Sequence, residues 1–284
     1  MQKLRSGVLA CLSLVLVAWC PPAAADGPPS RPAASVIARQ GFNPYGIALT
    51  RDGRYAYLSF DLSAFVFKVR LSDMTVVASA DFSRYFPLKC STIALDAGET
   101  KVFLHDRILG RLLVLNAVTL QEIRMIGGFP AGMAHLVSSR WGPYLILVSG
   151  RVWLINTDSL EVTALGNSRG FNYVRESATD PAIWYAVASA PGSTVIGTYD
   201  YKKALWSPKA TVQARTGGWS VHDFAVLPDG SKAYLAVLGP WLPGYQSTGW
   251  LYAADLRSGA VSELPIDGGA KALAISHDSS RLYV

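Results

Sequence analysis

The segments PYGIALTRDGRYAYLSF (44–60) and FVFKVRLSDMTVVASADF (65–82) together read as four short apolar strands separated by polar turns. Apolar and polar residues alternate along several of these strands, which is the two-residue period of a β-strand. Between the first and second strands stands the pair Asp52-Gly53, a typical tight turn. Because similar four-strand units recur at a spacing of roughly 40–50 residues, the sequence predicts a β-propeller.

The unit is completed five times and begun a sixth time. The predicted blades cover residues 44–83, 89–129, 130–166, 171–210 and 221–266, with a partial sixth at 270–284. The fold class is therefore all-β, a propeller of four-stranded antiparallel blades within a domain at 35–284. An extra short strand is predicted at Ser35–Gln40. This blade count favours a truncated seven-blade-type ring over an open arc with unpaired edges.

The run P-x-G-I-A-x-x-x-D-G-x-x-x-Y-L in the first blade resembles the YVTN-type repeats of secreted and periplasmic, WD40-like seven-bladed propellers. The repeat signature stands at Tyr57–Phe60, Phe103–Asp106 and Tyr234–Val237. Blade four departs from the pattern at Glu176 and at Asp180-Pro181. The resemblance covers nearly the whole chain after the N-terminal segment and implies a fold, whereas propellers serve many unrelated functions.

The N-terminus has the pattern of a secretory signal peptide. Lys3 and Arg5 precede an apolar run of eleven residues, Val8–Ala18, and Ala23-Ala24-Ala25 offers a cleavage site after Ala25. The run is shorter than the about 20 residues that span a bilayer. The sequence therefore predicts a signal peptide at 1–25, a Pro/Gly/Ala-rich linker at 26–34, and a secreted or periplasmic chain. An uncleaved anchor and lipidation at Cys20 stay open, although Trp19 disfavours lipidation.

The composition excludes several classes of function. The 284-residue chain is 50% hydrophobic and 16% charged, with a net charge of +6. Removal of the signal peptide takes away Lys3 and Arg5 and lowers the net charge to +4. The remaining basic residues do not form the clustered stripe that nucleic-acid binding requires. The remaining cysteine, Cys90, cannot form an internal disulfide.

The sequence predicts no metal ion and no cofactor. The four histidines and the single remaining cysteine lack paired ligand spacing, and no G-x-S-x-G, P-loop or G-x-G-x-x-G motif is present. The weak catalytic candidates are His222 and Asp223, where a histidine beside a carboxylate could act as a general base. The alternative interpretation is a polar pair at the channel entrance, at positions equivalent to Tyr45, Ser91, Ala131 and Lys271 in other blades.

Ligand binding is predicted on the face that carries the loops between blades and the loops between second and third strands. This face has the longest loop, Gly239–Gly249, and long loops on a rigid scaffold often carry function. Aromatic residues there could stack on a sugar or a peptide, and basic residues would favour an anionic partner. Interblade packing and solvated charge are the alternative roles. The predicted ligand-binding residues are Trp219, His222, Asp223, Trp241, Tyr245, Trp250, Arg84, Lys89 and Arg107.

These observations predict an exported, non-enzymatic binding scaffold for an extracytoplasmic protein, peptide or glycan. One alternative is a lactonase-like hydrolase with its site at the channel mouth, for which Glu176 would be a further carboxylate. The other is an accessory subunit of a periplasmic redox enzyme. The hydrolase requires His222, Asp223 and another carboxylate within about 3–4 Å of one point.

Overall fold

The computed structural model describes residues 44–60, 63–85, 90–166, 168, 170–190, 192–213, 220–242, 246–264, 266, 270, 272–276 and 278–284. The predicted signal peptide, linker and strand Ser35–Gln40 lie outside these residues. Within the described part of the chain, no helix is long and apolar enough to cross a membrane.

The described chain forms five four-stranded antiparallel sheets and one two-stranded sheet, so the predicted propeller fold class is confirmed. The first blade comprises β1 (Pro44–Leu49), β2 (Tyr55–Phe60), β3 (Phe65–Arg70) and β4 (Thr75–Asp81). The second comprises β5 (Cys90–Leu95), β6 (Lys101–Asp106), β7 (Arg111–Asn116) and β8 (Glu122–Ile126). The third comprises β9 (His135–Ser138), β10 (Tyr144–Val148), β11 (Val152–Asn156) and β12 (Val162–Ala164). The fourth comprises β13 (Phe171–Glu176), β14 (Ile183–Ala190), β15 (Ser193–Asp200) and β16 (Leu205–Gln213). The fifth comprises β17 (Ser220–Val226), β18 (Lys232–Leu242), β19 (Gln246–Asp255) and β20 (Val261–Leu264). The two-stranded sheet comprises β21 (Ala274–Ile275) and β22 (Leu282–Tyr283).

Neighbouring strands in each sheet follow one another in the chain, as in an up-and-down meander. A single turn of 3-10 helix, Ser83–Tyr85, lies between β4 and β5. Burial falls from the middle strands to the fourth strand: β2 is buried at five successive positions, whereas no residue of β4 is fully buried. The middle strands therefore supply the packed layers.

The chain divides into two compact units, each with its own core. Of the described residues, the first unit holds those up to Ser138 with Gly142–Leu145 and Asn156–Ser159, and the second holds Ser139–Trp141, Ile146–Ile155 and those from Leu160 onward. In the first, a buried cluster joins Tyr57 and Val66 of blade one to Leu104 and Leu113 of blade two. The corresponding cluster of the second unit joins blades four and five, with Ile196, Phe224 and Leu235 among its members.

The turn between third and fourth strands is built the same way in four blades. The last residue of the third strand is Asn or Asp, and its Oδ1 accepts the backbone N–H groups two and three positions ahead. These residues are Asn116, Asn156, Asp200 and Asp255. The residue four positions ahead has a positive φ, from 52° to 79°, in each case. The side-chain acceptor holds the backbone in this turn, so leucine or alanine is accommodated where glycine is usual.

Polar side chains also tie adjacent blades together. The buried Tyr57 hydroxyl donates to the carbonyl of Ala117 at 2.6 Å, and Lys68 Nζ donates to the same oxygen at 3.0 Å. Burial, with smaller contributions from Glu99 and Tyr55, raises the pKa of Tyr57 to about 12. The hydroxyl is therefore a donor at all physiological pH values, which satisfies an otherwise buried polar group.

Candidate binding face

A β-bulge recurs at the start of the first strand in four blades. The register shifts at Tyr45, Ser91, Asn172 and His222, and each lies four positions before the end of its strand. In the third blade, β9 begins at His135 and Ala131 lies before it, so the equivalence of Ala131 stays a prediction. A bulge leaves one residue out of the ladder and changes the direction of its side chain, and bulges are frequent beside functional sites.

Asp223, one of the two weak catalytic candidates, is held by three donors. Its Oδ1 accepts Arg175 Nη2 at 2.9 Å and the N–H of Phe224 at 2.8 Å, and its Oδ2 accepts the N–H of Leu273 at 2.7 Å. These contacts join blade four, blade five and the segment before β21 within the second unit. Burial lowers the pKa of Arg175, and the neighbouring Asp223 charge opposes this shift. Three of the roughly four acceptor positions of a carboxylate are thus occupied by contacts within the second unit, so Asp223 has a structural role.

His222, the other catalytic candidate, is the exposed bulge residue of β17. Its backbone carbonyl accepts the Tyr173 hydroxyl at 2.8 Å. The main chain at His222 is therefore fixed to blade four while the residue faces solvent.

Glu176 also has a structural role. Its carboxylate accepts Ser139 Oγ at 2.6 Å and the N–H of Arg140 at 2.7 Å, and it thereby fastens the turn after β9 to β13. Trp141, in the same turn, donates from Nε1 to the Ser177 carbonyl at 3.1 Å. Among the residues that the structure describes, no group of three or more His, Cys, Asp and Glu could hold a metal ion.

Arg84 belongs to a network that fixes the 3-10 turn to blade two. Glu122 Oε2 accepts Arg84 Nη2 at 2.5 Å and the Tyr85 hydroxyl at 2.6 Å. The Tyr85 ring also contacts two guanidinium groups, those of Arg84 at 4.8 Å and Arg111 at 5.2 Å. The hydrogen bond from Tyr85, and then Arg84, lower the pKa of Glu122. Although exposed, Arg84 is engaged with a carboxylate, which reduces its capacity to attract an anionic ligand.

Arg107, which is half-buried, belongs to a cluster that we call the Met133 patch, whose other members are the exposed residues Tyr45, Ile108, Leu109 and Met133. The Met133 sulfur accepts the Tyr45 hydroxyl at 3.5 Å and Arg107 Nη1 at 3.7 Å. Met133 and Leu109 are each 54% exposed, with Tyr45 at 41% and Ile108 at 39%. The patch combines the first bulge with the β6–β7 loop (107–110) and the β8–β9 loop (127–134), and it lies within the first unit.

The loops that carry the patch are held by backbone contacts. Phe129 N donates to the Gly110 carbonyl at 3.0 Å, and Gly132 N donates to the Arg107 carbonyl at 2.7 Å. Gly110 has φ +58°, and a Cβ there would lie 2.0 Å from the Phe129 oxygen. Only glycine allows this close approach, so the spacing of the two loops depends on it.

His105 and Asp106, the last two residues of the repeat signature in blade two, are completely buried. Asp106 accepts Arg111 Nε at 2.8 Å and the N–H of Ile108 at 3.0 Å. His105 packs edge-on against Phe129 at 6.4 Å. Desolvation lowers the pKa of His105 to about 4, against a smaller opposing effect of Asp106. His105, which packs against the loop that carries Met133, is therefore uncharged at neutral pH.

The predicted aromatic surface falls largely outside the described residues. Trp219, Tyr245 and Lys89 are not among them; Trp241 belongs to β18, but its side chain is not described. Trp250, opposite Val237 in the sheet, is half-buried and packs against the core cluster of the second unit. This packing accounts for Trp250 without a ligand.

Sequence reasoning missed Met133, Tyr45, Ile108 and Leu109 as surface residues. Tyr45 occupies the first-strand position equivalent to His222, and this equivalence is the sequence signal for it. Two adjacent apolar residues in a short loop, Ile108-Leu109, were the other available signal, since loops of a packed domain are usually polar.

The chain resembles several solved β-propellers. Hydrazine synthase from Kuenenia stuttgartiensis matches with a TM-score of 0.68 and 17% identity, over 84% of this chain and 72% of that one. The β-propeller domain of Cps50 (Swd1) from Myceliophteria thermophila matches with a TM-score of 0.59 and 13% identity, over 81% and 75%. Dihydro-heme d1 dehydrogenase NirN in complex with DHE matches with a TM-score of 0.59 and 15% identity, over 84% of this chain and 50% of that chain. No protein-family profile and no curated protein matches the sequence. At these identities the likeness supports the fold alone.

Proposed function

We propose that this chain is an exported β-propeller scaffold that binds a protein or peptide partner on the Met133 patch and catalyses no reaction itself. Export is supported by the signal-peptide pattern at 1–25. The binding role is supported chiefly by one observation: four apolar or aromatic side chains, three on loops held by backbone contacts and one on β1, stand exposed beside a guanidinium. Exposed apolar groups presented together on a stable protein are typical of interaction sites.

The composition of the patch favours a particular kind of partner. Tyr45, Ile108, Leu109 and Met133 offer contact surface to apolar side chains, and methionine adapts readily to different shapes. Arg107 supplies a positive charge at the same place, and the mature chain carries a net charge of +4. The partner is therefore a segment that combines apolar side chains with an Asp, a Glu or a free carboxylate.

The hydrolase alternative has less support, because both carboxylates proposed for it are already hydrogen-bonded. Asp223 is bound by three donors and Glu176 by two, each in contacts between blades. The redox-accessory alternative agrees with the names of two similar structures, but their identity of 15–17% carries the fold only. Binding of a glycan would depend on the aromatic surface around Trp219 and Trp241. That surface stays a prediction.

Selection from a random peptide library against the mature chain tests the proposed function. We expect enriched peptides to share apolar residues beside an acidic one. The variants Ile108→Ser and Leu109→Ser should each weaken binding of the selected peptides about tenfold, because each removes roughly 1.5 kcal/mol of apolar contact. Val118→Ser is the matched control, since Val118 is 71% exposed on a turn at the other end of the same blade.

Two outcomes would contradict the proposal. One is a set of selected peptides whose affinity is unchanged by Ile108→Ser and Leu109→Ser. The other is an equal loss in Val118→Ser, which would place the contact elsewhere. Circular dichroism of each variant confirms that the fold is retained.

A further inference from the structure

Two hydrogen-bond donors converge on the sulfur of Met133, although a thioether is among the weakest acceptors in proteins. The Tyr45 hydroxyl lies 3.5 Å from Sδ and Arg107 Nη1 lies 3.7 Å from it. Such donors would interact far more strongly with an oxygen atom at this position. We propose that Met133 is an oxidation site and that its methionine sulfoxide is held by Tyr45 and Arg107.

The other methionines of the described chain are less accessible. Met125 is half-buried and packs against the core cluster of the first unit. Met74 is half-buried in the β3–β4 turn, at a positive φ of 56°. Met133 is 54% exposed, so we expect it to meet a soluble oxidant more readily than the other two. The three residues thus form an internal series for comparison.

Hydrogen peroxide is the oxidant for this step. One peroxide oxygen forms a bond to Met133 Sδ as the O–O bond breaks. The remaining oxygen, with both hydrogens, leaves as water. The sulfur loses two electrons and the peroxide gains them, so atoms and charge balance. The oxidation is reversible, because separate reductases reduce each of the two sulfoxide epimers.

The two donors act on the product more than on the reactant. A sulfoxide oxygen bears partial negative charge, and a hydrogen bond from a guanidinium to such an oxygen is stronger than one between neutral groups. Sulfoxide formation also makes the sulfur a stereocentre. Only an oxygen that faces Tyr45 and Arg107 can accept their hydrogen bonds, so we expect the epimer with that orientation to be favoured.

Oxidation changes the character of the Met133 patch. It replaces an apolar, flexible side chain with a polar one and strengthens the contact that Arg107 already makes with residue 133. A partner with apolar and acidic groups would then bind more weakly, so the site regulates the surface. This consequence rests on the proposed function, whereas the oxidation site itself does not.

The test treats the mature protein with hydrogen peroxide and follows each methionine by peptide mapping. We expect Met133 to oxidise before Met74 and Met125 at every time point. The epimer ratio at Met133, read from its reduction by MsrA and by MsrB, should depart from unity by about fivefold, the bias that one net hydrogen bond supplies. In Tyr45→Phe and in Arg107→Gln the ratio should move toward unity, and Arg107→Lys should restore part of the bias.

The controls are Tyr144→Phe and Arg124→Gln, which alter an exposed tyrosine and an exposed arginine outside the patch. They should leave the Met133 ratio unchanged. Equal epimers in the wild-type protein, or a ratio that neither Tyr45→Phe nor Arg107→Gln alters, would overturn the assignment. Oxidation of Met74 or Met125 at the rate of Met133 would do the same. None of these measurements involves a partner, so failure of the peptide selection overturns the proposed function separately.

Discussion

At the scale of single residues, burial determines what each polar group can do. His105 lies at the end of β6 with no exposed surface, and its pKa is lowered to about 4 because the charged form cannot be solvated there. Asp223 and Glu176 are candidate acids or ligands in the sequence, yet both carboxylates accept hydrogen bonds from a neighbouring blade. Residue type therefore indicates chemistry only when the partners are known.

The depressed pKa of His105 predicts a loss of stability in mild acid. In the unfolded chain this histidine takes up a proton near pH 6.5, whereas in the folded chain it does so near pH 4. Stability is therefore complete above pH 6.5 and falls as the pH drops from 6.5 toward 4. We expect the free energy of unfolding to decrease by about 2 kcal/mol between pH 7.5 and pH 5.

Urea unfolding at the two pH values measures this decrease. In His105→Gln the decrease should be smaller by about the same 2 kcal/mol, whatever the cost of the substitution at pH 7.5. His222→Gln is the matched control, since His222 is exposed. A wild-type pH dependence equal to that of His105→Gln would contradict the assignment.

Ala204 offers a second test at one residue. It ends the turn capped by Asp200 and has φ 52°, a conformation that costs alanine roughly 1–2 kcal/mol. Ala204→Gly should raise the free energy of unfolding by about 0.5 kcal/mol, because relief of this cost exceeds the added entropy of the unfolded chain. Ala164→Gly, in the exposed strand β12, should lower it by a similar amount. A loss in both variants would show that the turn is not strained.

At the scale of elements, the same few devices are used in blade after blade. An Asn or Asp side chain caps each third-to-fourth turn in blades two to five, a bulge opens four of the first strands, and loops on the binding face exchange backbone hydrogen bonds. The repetition follows from the fold, since each of these blades is built as the same four-stranded meander. Differences between blades, such as the Met133 patch, are therefore the informative features.

The close approach of the two loops at Gly110 predicts a large effect of a single methyl group. Gly110→Ala should lower the free energy of unfolding by about 3 kcal/mol, because the new Cβ overlaps the Phe129 carbonyl and the backbone keeps a positive φ. Gly150→Ala separates the two causes, since Gly150 has a similar φ of +67° and open space around it. It should cost about 1 kcal/mol. Equal costs in thermal or urea unfolding would rule out the clash.

The ion pair of Asp223 and Arg175 predicts strong coupling between blades four and five. Asp223→Ala should destabilise the protein by about 3 kcal/mol, since it leaves a half-buried guanidinium and the N–H of Leu273 without their acceptor. Asp229→Ala, in an exposed turn, should cost about 1 kcal/mol. In a double-mutant cycle with Arg175→Met, the combined loss should be smaller than the sum. An additive result would mean that the pair contributes no net stability.

At the scale of the whole molecule, the export of the chain is the first property to test. Expression of the full sequence in a Gram-negative host should yield a mature chain that begins at Asp26, as intact mass will show. Ala25→Leu should block processing, because a small residue is needed immediately before the cleavage site. Ala24→Leu should be processed normally, because residue 24 lies between the two small residues of the cleavage site and need not be small itself. An unprocessed wild-type chain would favour the membrane-anchor alternative.

The repeat explains how far the fold could be predicted. Alternation of apolar and polar residues identifies strands such as Tyr55–Phe60, and the Asp-Gly turns set their order, because both depend on neighbours in the chain. Even blade four, which departs from the repeat pattern at Glu176, begins with a strand at Phe171–Glu176. The faces of the strands and loops follow from the meander. These are local properties, so a single sequence contains them.

The candidate site depends on contacts between residues that are distant in the chain. The Tyr45 hydroxyl meets Met133 across 88 positions, and Asp223 meets Arg175 and Leu273 across 48 and 50. No two-residue or four-strand period indicates which polar group will find a partner or which apolar loop residue will stay exposed. The repeat of local strands and turns was enough to specify a propeller and its faces. The burial and pairing of side chains arise only when loops from separate blades pack together. They favour the Met133 patch, rather than His222 and Asp223, as the candidate surface.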